Sequence, residues 1–335
     1  MMRSKLRISA YLTRTRGLAN WGNRATARRW LLAFAWLCVF ASMAARAQSA
    51  SSPSTDAASA PVECAGSASV DTARPDVETF RCLTPHEQAV AWRTWIDSHA
   101  LVSLQDDQIL QLMAVMKPEA FVDYAESEMI PGDAYEYDMF RQERLFGRWP
   151  DRPDHMLIRY QDSPRKIYVK WLPDGAHAGQ EVLYDETLDP ASIYGHLGGA
   201  LHVVSARVAI DSRFARAQSR HSIRDLGLQF IARTLVHDAS SFRAEGLSEK
   251  PTGIELMTVH GTRQLAWTWT ATSGAPAHYA SRVRLLFDLQ HPWPDGEAAW
   301  DERGRMIELI QFENVVPRNW DASAFDPHNP DYAFH

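Results

Sequence analysis

Between residues 135 and 172, apolar and polar positions alternate in three runs separated by two turn-rich gaps. Tyr135, Tyr137 and Met139 alternate with Glu136 and Asp138. Met156, Ile158 and Tyr160 alternate with Leu157 and Arg159, and Ile167, Val169 and Trp171 alternate with Lys166 and Lys170. A period of two predicts strands with one buried face. Gly147 to Pro153 and Asp162 to Pro164 break the runs. Links this short join antiparallel neighbours, because a parallel crossover needs a dozen or more residues. Further strands are expected over 181–184, 192–197, 201–210, 253–259, 264–270 and 305–312, and around Val283, Leu285 and Phe287. Gly198-Gly199 suits a tight hairpin turn between two of them, and Pro292 to Gly304 reads as a turn-rich insertion.

Helical spacing flanks and interrupts this pattern. Thr84-Pro85-His86-Glu87 is a helix start with a capping box, followed by Ala89, Trp92, Trp95 and Ile96 on one face. A second helix follows Ser103 with Ile109, Leu112, Met113 and Met116. A third starts at Pro118 and carries Phe121, Val122, Tyr124 and Ala125. A fourth, near 222–237, opens at His221-Ser222 and aligns Ile223, Leu226, Phe230, Ile231 and Leu235. About ten short strands and four helices predict an α+β fold: a strongly curved antiparallel sheet, an incomplete β-barrel, covered by helices. Twist accumulates in a large sheet, and its edges must be hidden. Residues 79–130 are the helical segment and 131–335 the half-barrel domain, together one folded unit.

Charge changes the picture at the N-terminus. Residues 1–47 carry nine basic residues and no acid, and Trp30 to Phe40 is an apolar run shorter than the roughly 20 residues a membrane span requires. Ala45-Arg46-Ala47 offers a cleavage site, so 1–47 reads as a signal peptide cut after Ala47, with Arg28-Arg29 leaving the twin-arginine route open. The expected location is the periplasm. Of 35 basic residues, 26 remain after cleavage against 41 acidic ones, a net charge of −15. That argues against a nucleic-acid partner, which needs a basic face. Residues 48–78, rich in Ala, Ser and Pro at their start, read as a disordered linker. Two cysteines outlast cleavage, and in an exported chain Cys64 and Cys82 are expected to form a disulfide.

No hydrolase or phosphate-binding motif appears, so the chain reads as non-catalytic and free of cofactors. The histidines are scattered. His196 and His202 flank Gly198-Gly199, but surface histidines are the simpler reading, and no metal site is expected. Arg141, Glu143 and Arg144 end the first strand; with Asp162 and Lys166 they suggest an ion network at a cavity rim, although solvated strand-end charges are the commoner outcome. Asp326, Asn329 and Asp331 lack calcium-loop spacing and read as an ordered turn. The inward positions carry the one functional hint. Tyr137, Met139, Ile158, Val169, Trp171, Trp267, Trp269, Leu285 and Phe287 would wall an apolar ligand cavity if the helices leave space beneath the sheet. If the helices fill that space, they are core.

The blocks FRQER from Phe140, SPRKIYVKWL from Ser163, GQEVLYDE from Gly179, GHLGGAL from Gly195, SRHSIRDLGL from Ser219 and FDPHNPDYAF from Phe325 resemble domain-of-unknown-function family 1571 over about residues 105–334. That family is similar in expected fold to the outer-membrane lipoprotein-sorting (LolA-like) carriers, half-open barrels with a helical lid. The resemblance implies an exported protein that shelters an acyl chain, lipid or lipoprotein, and it implies no catalytic residues. The expectation is a lipid or lipoprotein carrier. The alternative is an envelope-assembly protein acting through a transient protein partner.

Overall fold

The computed structural model describes residues 74–201, 203–259, 261–272 and 278–335. The expected signal peptide, most of the expected linker, Cys64 and His202 lie outside the described residues, so the Cys64–Cys82 pairing and the cleavage after Ala47 stay expectations.

Among the described residues the first helix is α1 (Val77–Cys82), which lies partly inside the expected linker and is capped by the Asp76 side chain. In α2 (Pro85–Asp97) Thr84 and Glu87 form the reciprocal capping box, and Ala89, Trp92, Trp95 and Ile96 are buried. A 3-10 turn, Ala100–Ser103, precedes α3 (Asp106–Val115), whose cap is Gln105 rather than Ser103. Helix α4 (Pro118–Ser127) buries Phe121, Tyr124 and Ala125. Helix α2 packs on α4, and α4 packs on α5 (Leu228–Ala244).

Eleven strands among the described residues form one antiparallel sheet in the order β6-β5-β4-β3-β2-β1-β11-β10-β9-β8-β7. They are β1 (Ala134–Glu143), β2 (Asp154–Gln161), β3 (Lys166–Trp171), β4 (Glu181–Asp185), β5 (Ser192–His196), β6 (Ala206–Ala209), β7 (Gly253–Val259), β8 (Thr262–Thr270), β9 (Arg282–Phe287), β10 (Gly296–Trp300) and β11 (Met306–Pro317). Two meanders, β1–β6 and β7–β11, run outward from a central β1–β11 pair, and α5 makes the connection between them. The sheet stays open, with short β6 at one edge, which limits how much unpaired backbone it exposes.

Four expectations need correcting. The expected turn-rich insertion at 292–304 is in part a strand, β10, which completes the eleven strands among the described residues where about ten were expected. Gly-Glu-Ala-Ala-Trp has weak strand propensity, and hydrogen bonding to β9 and β11 on both sides overrides it. Gly198-Gly199 is not a hairpin turn: β5 ends at His196 and β6 begins at Ala206, and Gly199–Leu201 is a 3-10 turn. The internal helix begins at Leu228, not near 222. Residues Ile223–Asp225 form a capped 3-10 turn, and Gly227, at φ +111°, breaks the chain before α5. A Cβ on Gly227 would come within 2.6 Å of the Tyr160 ring, so the close approach requires glycine. The burial of Arg141 and Glu143 is the fourth correction and belongs to the site.

The helix-bearing face of the sheet and the five described α-helices share one core. Tyr135, Tyr137, Ile158, Val169, Leu265, Trp267 and Phe287 meet Trp92, Phe121, Tyr124 and Leu228 there. The opposite face of β3 and β4 is covered by the C-terminal tail. Phe325 and Tyr332 pack on Tyr168 and Leu183, and the Arg159 guanidinium lies over the Tyr168, Trp320 and Tyr332 rings. Asp326, Asn329 and Asp331 hydrogen-bond within that tail as an ordered turn.

Candidate functional site

Strands β3–β6 and the segment from Phe214 to Leu226 enclose a cavity of about 380 Å³. Its sheet wall follows from register: Val182 pairs with Gly195, Ile193 with Val208 and Gly195 with Ala206, so these side chains share the helix-bearing face. Met156 at the floor is fully buried, whereas Val204 and Phe214 at the rim are 64% and 59% exposed. The cavity is therefore apolar from an open mouth to a closed floor. Arg141, Ser219 and His221 form its polar end.

Behind that end lies a buried ion network. The alternation of β1 continues past Met139, which brings Arg141 and Glu143 onto the helix-bearing face, and Glu143 stands directly opposite Glu308 of β11. Arg141 bonds Asp154 at 3.2 Å and lies 3.6 Å from Glu143. Ser219 Oγ and the Arg220 backbone N–H donate to Glu143 at 3.0 and 2.7 Å. His221 Nε2 lies 3.1 Å from Glu308 and 2.9 Å from the Tyr279 hydroxyl, which itself donates to Glu308. Burial pulls the His221 imidazole down, but the bond to Glu308 and the Glu308, Glu143 and Glu297 charges push it above its usual value. Burial raises Glu308, yet His221 and Tyr279 hold it below the ordinary carboxylate range. Burial, reinforced by Glu308, pushes Glu297 on β10 up to about 8, so it is mostly protonated at neutral pH.

The charges at 141 and 143 are thus a buried network, not solvated strand ends. Asp162 and Lys166 do not join it, since they pair with Arg165 and Asp185. The actual partners, Asp154, Glu297 and Glu308, come from β2, β10 and β11.

The nine expected cavity residues fall into two groups. Tyr137, Met139, Ile158, Val169 and Trp171 lie on β1–β3, and Trp267, Trp269, Leu285 and Phe287 on β8 and β9; all are at most 7% exposed. Trp171 lines the large cavity. Trp269 and Leu285 line a small cleft of about 30 Å³ against α5. The other six line neither and sit within the core. Sequence reasoning passed over Met156, Val182, Ile193, Val208 and Leu226. Extending the inward alternation through β4–β6 would have found the three strand residues among them that lie beyond β3.

A family model for DUF1571, described as proteins of unknown function, matches residues 132–334. No curated protein sequence matches the chain. Among solved structures, it is similar to a LolA-superfamily protein from Nitrosomonas europaea, at 8% identity over 63% of this chain and 97% of that one, with a TM-score of 0.27. It is also similar to a putative outer-membrane lipoprotein-sorting protein domain from Vibrio parahaemolyticus, at 11% identity over 59% and 91%, TM-score 0.28. A third likeness is to the MucA/MucB complex of Pseudomonas aeruginosa, at 14% identity over 56% of this chain and 53% of that one, TM-score 0.29.

Proposed function

The chain belongs to the DUF1571 family, and from that starting point we propose that it is an exported, non-catalytic protein that shelters the acyl chain of a lipid or lipoprotein. The observation that supports this most is the open-mouthed apolar cavity between β3–β6 and the Phe214–Leu226 segment. About 380 Å³ is near the lower end of the range for ligand pockets, which suits one chain rather than a whole multi-chain lipid. Each buried methylene contributes about 0.8 kcal/mol, so half a chain gives useful affinity.

Val208, half-buried on edge strand β6, lines the cavity without joining the core. Val208→Trp is expected to fill the space and weaken binding of a fluorescent fatty acid at least tenfold, with the urea midpoint unchanged. Native mass spectrometry of wild-type protein purified from a membrane-containing lysate is expected to show bound lipid. Unchanged affinity in Val208→Trp would remove this cavity from the account. Export is read separately, by intact mass of periplasmic protein starting at Gln48.

A second reading, envelope assembly through a protein partner, is favoured by exposed Val203, Val204 and Phe214 beside the mouth. Lipid-free protein with a harmless Val208→Trp would support it over the carrier.

A further inference from the structure

An acyl chain needs no charge at the end of its cavity, yet buried carboxylates lie behind the Arg141, Ser219 and His221 end of this one. We propose that Glu143, Glu308 and His221 form a binding site for a divalent metal ion of the zinc class. Their ligand atoms all lie within 4.8 Å of one another. Donors bound tetrahedrally to one zinc ion at 2.0–2.2 Å stand about 3.3–3.6 Å apart, so the widest-spaced pair must close by about 1 Å, within reach of side-chain rotation.

Two further observations point to a cation. First, Glu143 and Glu308 are direct cross-strand partners, 4% and 1% exposed. Like charges directly opposite on a sheet repel, and burial removes the water that would screen them. Arg141, shared with Asp154, the His221 ring on Glu308 and the Ser219 and Arg220 donors on Glu143 relieve this only in part. Second, the two oxygens of Glu308 are treated unequally. Oε2 faces both the Tyr279 hydroxyl and His221 Nε2, whereas Oε1, buried in the same place, has no hydrogen-bond partner. A buried acceptor of this kind is a costly feature unless something binds it.

The donor set selects the metal class. Two carboxylates and one imidazole suit zinc and its neighbours, whereas calcium and magnesium favour oxygen alone. Three protein ligands also leave a coordination position open. An ion has routes inward: His221 lines the apolar cavity, and Glu143 lines a separate pocket of about 170 Å³ beside Arg148 and His177. The site stands whether or not an acyl chain binds, so its test is independent of the carrier reading.

The test is calorimetric titration of EDTA-stripped full-length protein with Zn²⁺ and, separately, Ca²⁺. One equivalent of Zn²⁺ is expected to bind, with Ca²⁺ at least tenfold weaker. Glu308→Gln keeps the side-chain shape and is expected to weaken Zn²⁺ at least tenfold. Asp288→Asn, which breaks the half-buried Asp288–His291 pair just past β9, is expected to leave binding unchanged. If circular dichroism shows Glu308→Gln misfolded, loop variant His221→Asn is read in its place, with the same expected loss. Absence of stoichiometric zinc on the wild-type protein overturns the proposal whatever the variants do. Wild-type affinity in a folded ligand variant overturns it too, as does loss of binding in Asp288→Asn.

Discussion

Trp267→Ala is expected to lower the stability of the fold by about 3–5 kcal/mol while leaving fatty-acid affinity of the folded protein within about twofold. Trp267 is 1% exposed. Its ring centroid lies 4.9 Å from Phe121 and 5.9 Å from Tyr124, both on α4, and 4.6 Å from Phe287 on β9. It therefore joins the helical layer to the second meander. Truncation removes the largest buried side chain at that junction, and the surrounding rings, held by both layers, cannot collapse into the space. Aromatic pairs add about 0.5–1.5 kcal/mol beyond area. The indole N–H has no partner, so no hydrogen bond contributes to the loss. Urea denaturation beside a probe titration separates the two effects. A tenfold loss of affinity with little change in stability would make Trp267 part of the ligand wall instead.

Arg141→Met should cost a comparable 3–5 kcal/mol, roughly, for an electrostatic reason. Its side chain is 7% exposed and bridges Asp154, Glu143 and Ser219. Methionine keeps most of the volume but leaves buried carboxylates without their guanidinium. Adding Glu143→Gln to Arg141→Met is expected to recover more than about 1 kcal/mol, because the carboxylate that loses its cation is neutralised. Arg159→Met makes the contrast. Arg159 is 22% exposed and rests against aromatic rings and Glu136 at the other face, so its loss should be clearly smaller. Equal costs at the two positions, or additive effects in the double variant, would contradict the buried-network account.

What the sequence could disclose follows the range of each interaction. The inward alternation of Tyr137, Ile158 and Val169 and the capping box of Thr84 and Glu87 are local signals, and both survive in the structure. Gly227 gave no such signal. Its break in the helix depends on the Tyr135 and Tyr160 rings, brought there by β1 and β2. The true partners of the ion network were hidden for the same reason: Glu143 meets Glu308 only because β1 pairs with β11 at the middle of the sheet. The cavity was placed too near the centre. Aromatic residues such as Trp267 mark large buried volume, and in this fold α4 fills it. The apolar cavity lies at the edge, where β5 and β6 carry smaller residues such as Ala206 and Val208, and no α-helix among the described residues lines it.

The central claim is that the apolar ligand lies between β3–β6 and the Phe214–Leu226 segment, not beneath the middle of the sheet. Methyl-resolved NMR with a nitroxide-labelled fatty acid locates it directly. The account predicts the strongest broadening at Val182, Ile193, Val208 and Ile223, with Leu265 and Leu285, on β8 and β9 beyond the central β1–β11 pair, unaffected. Broadening at the second set with the first left sharp, or none at either, would contradict it.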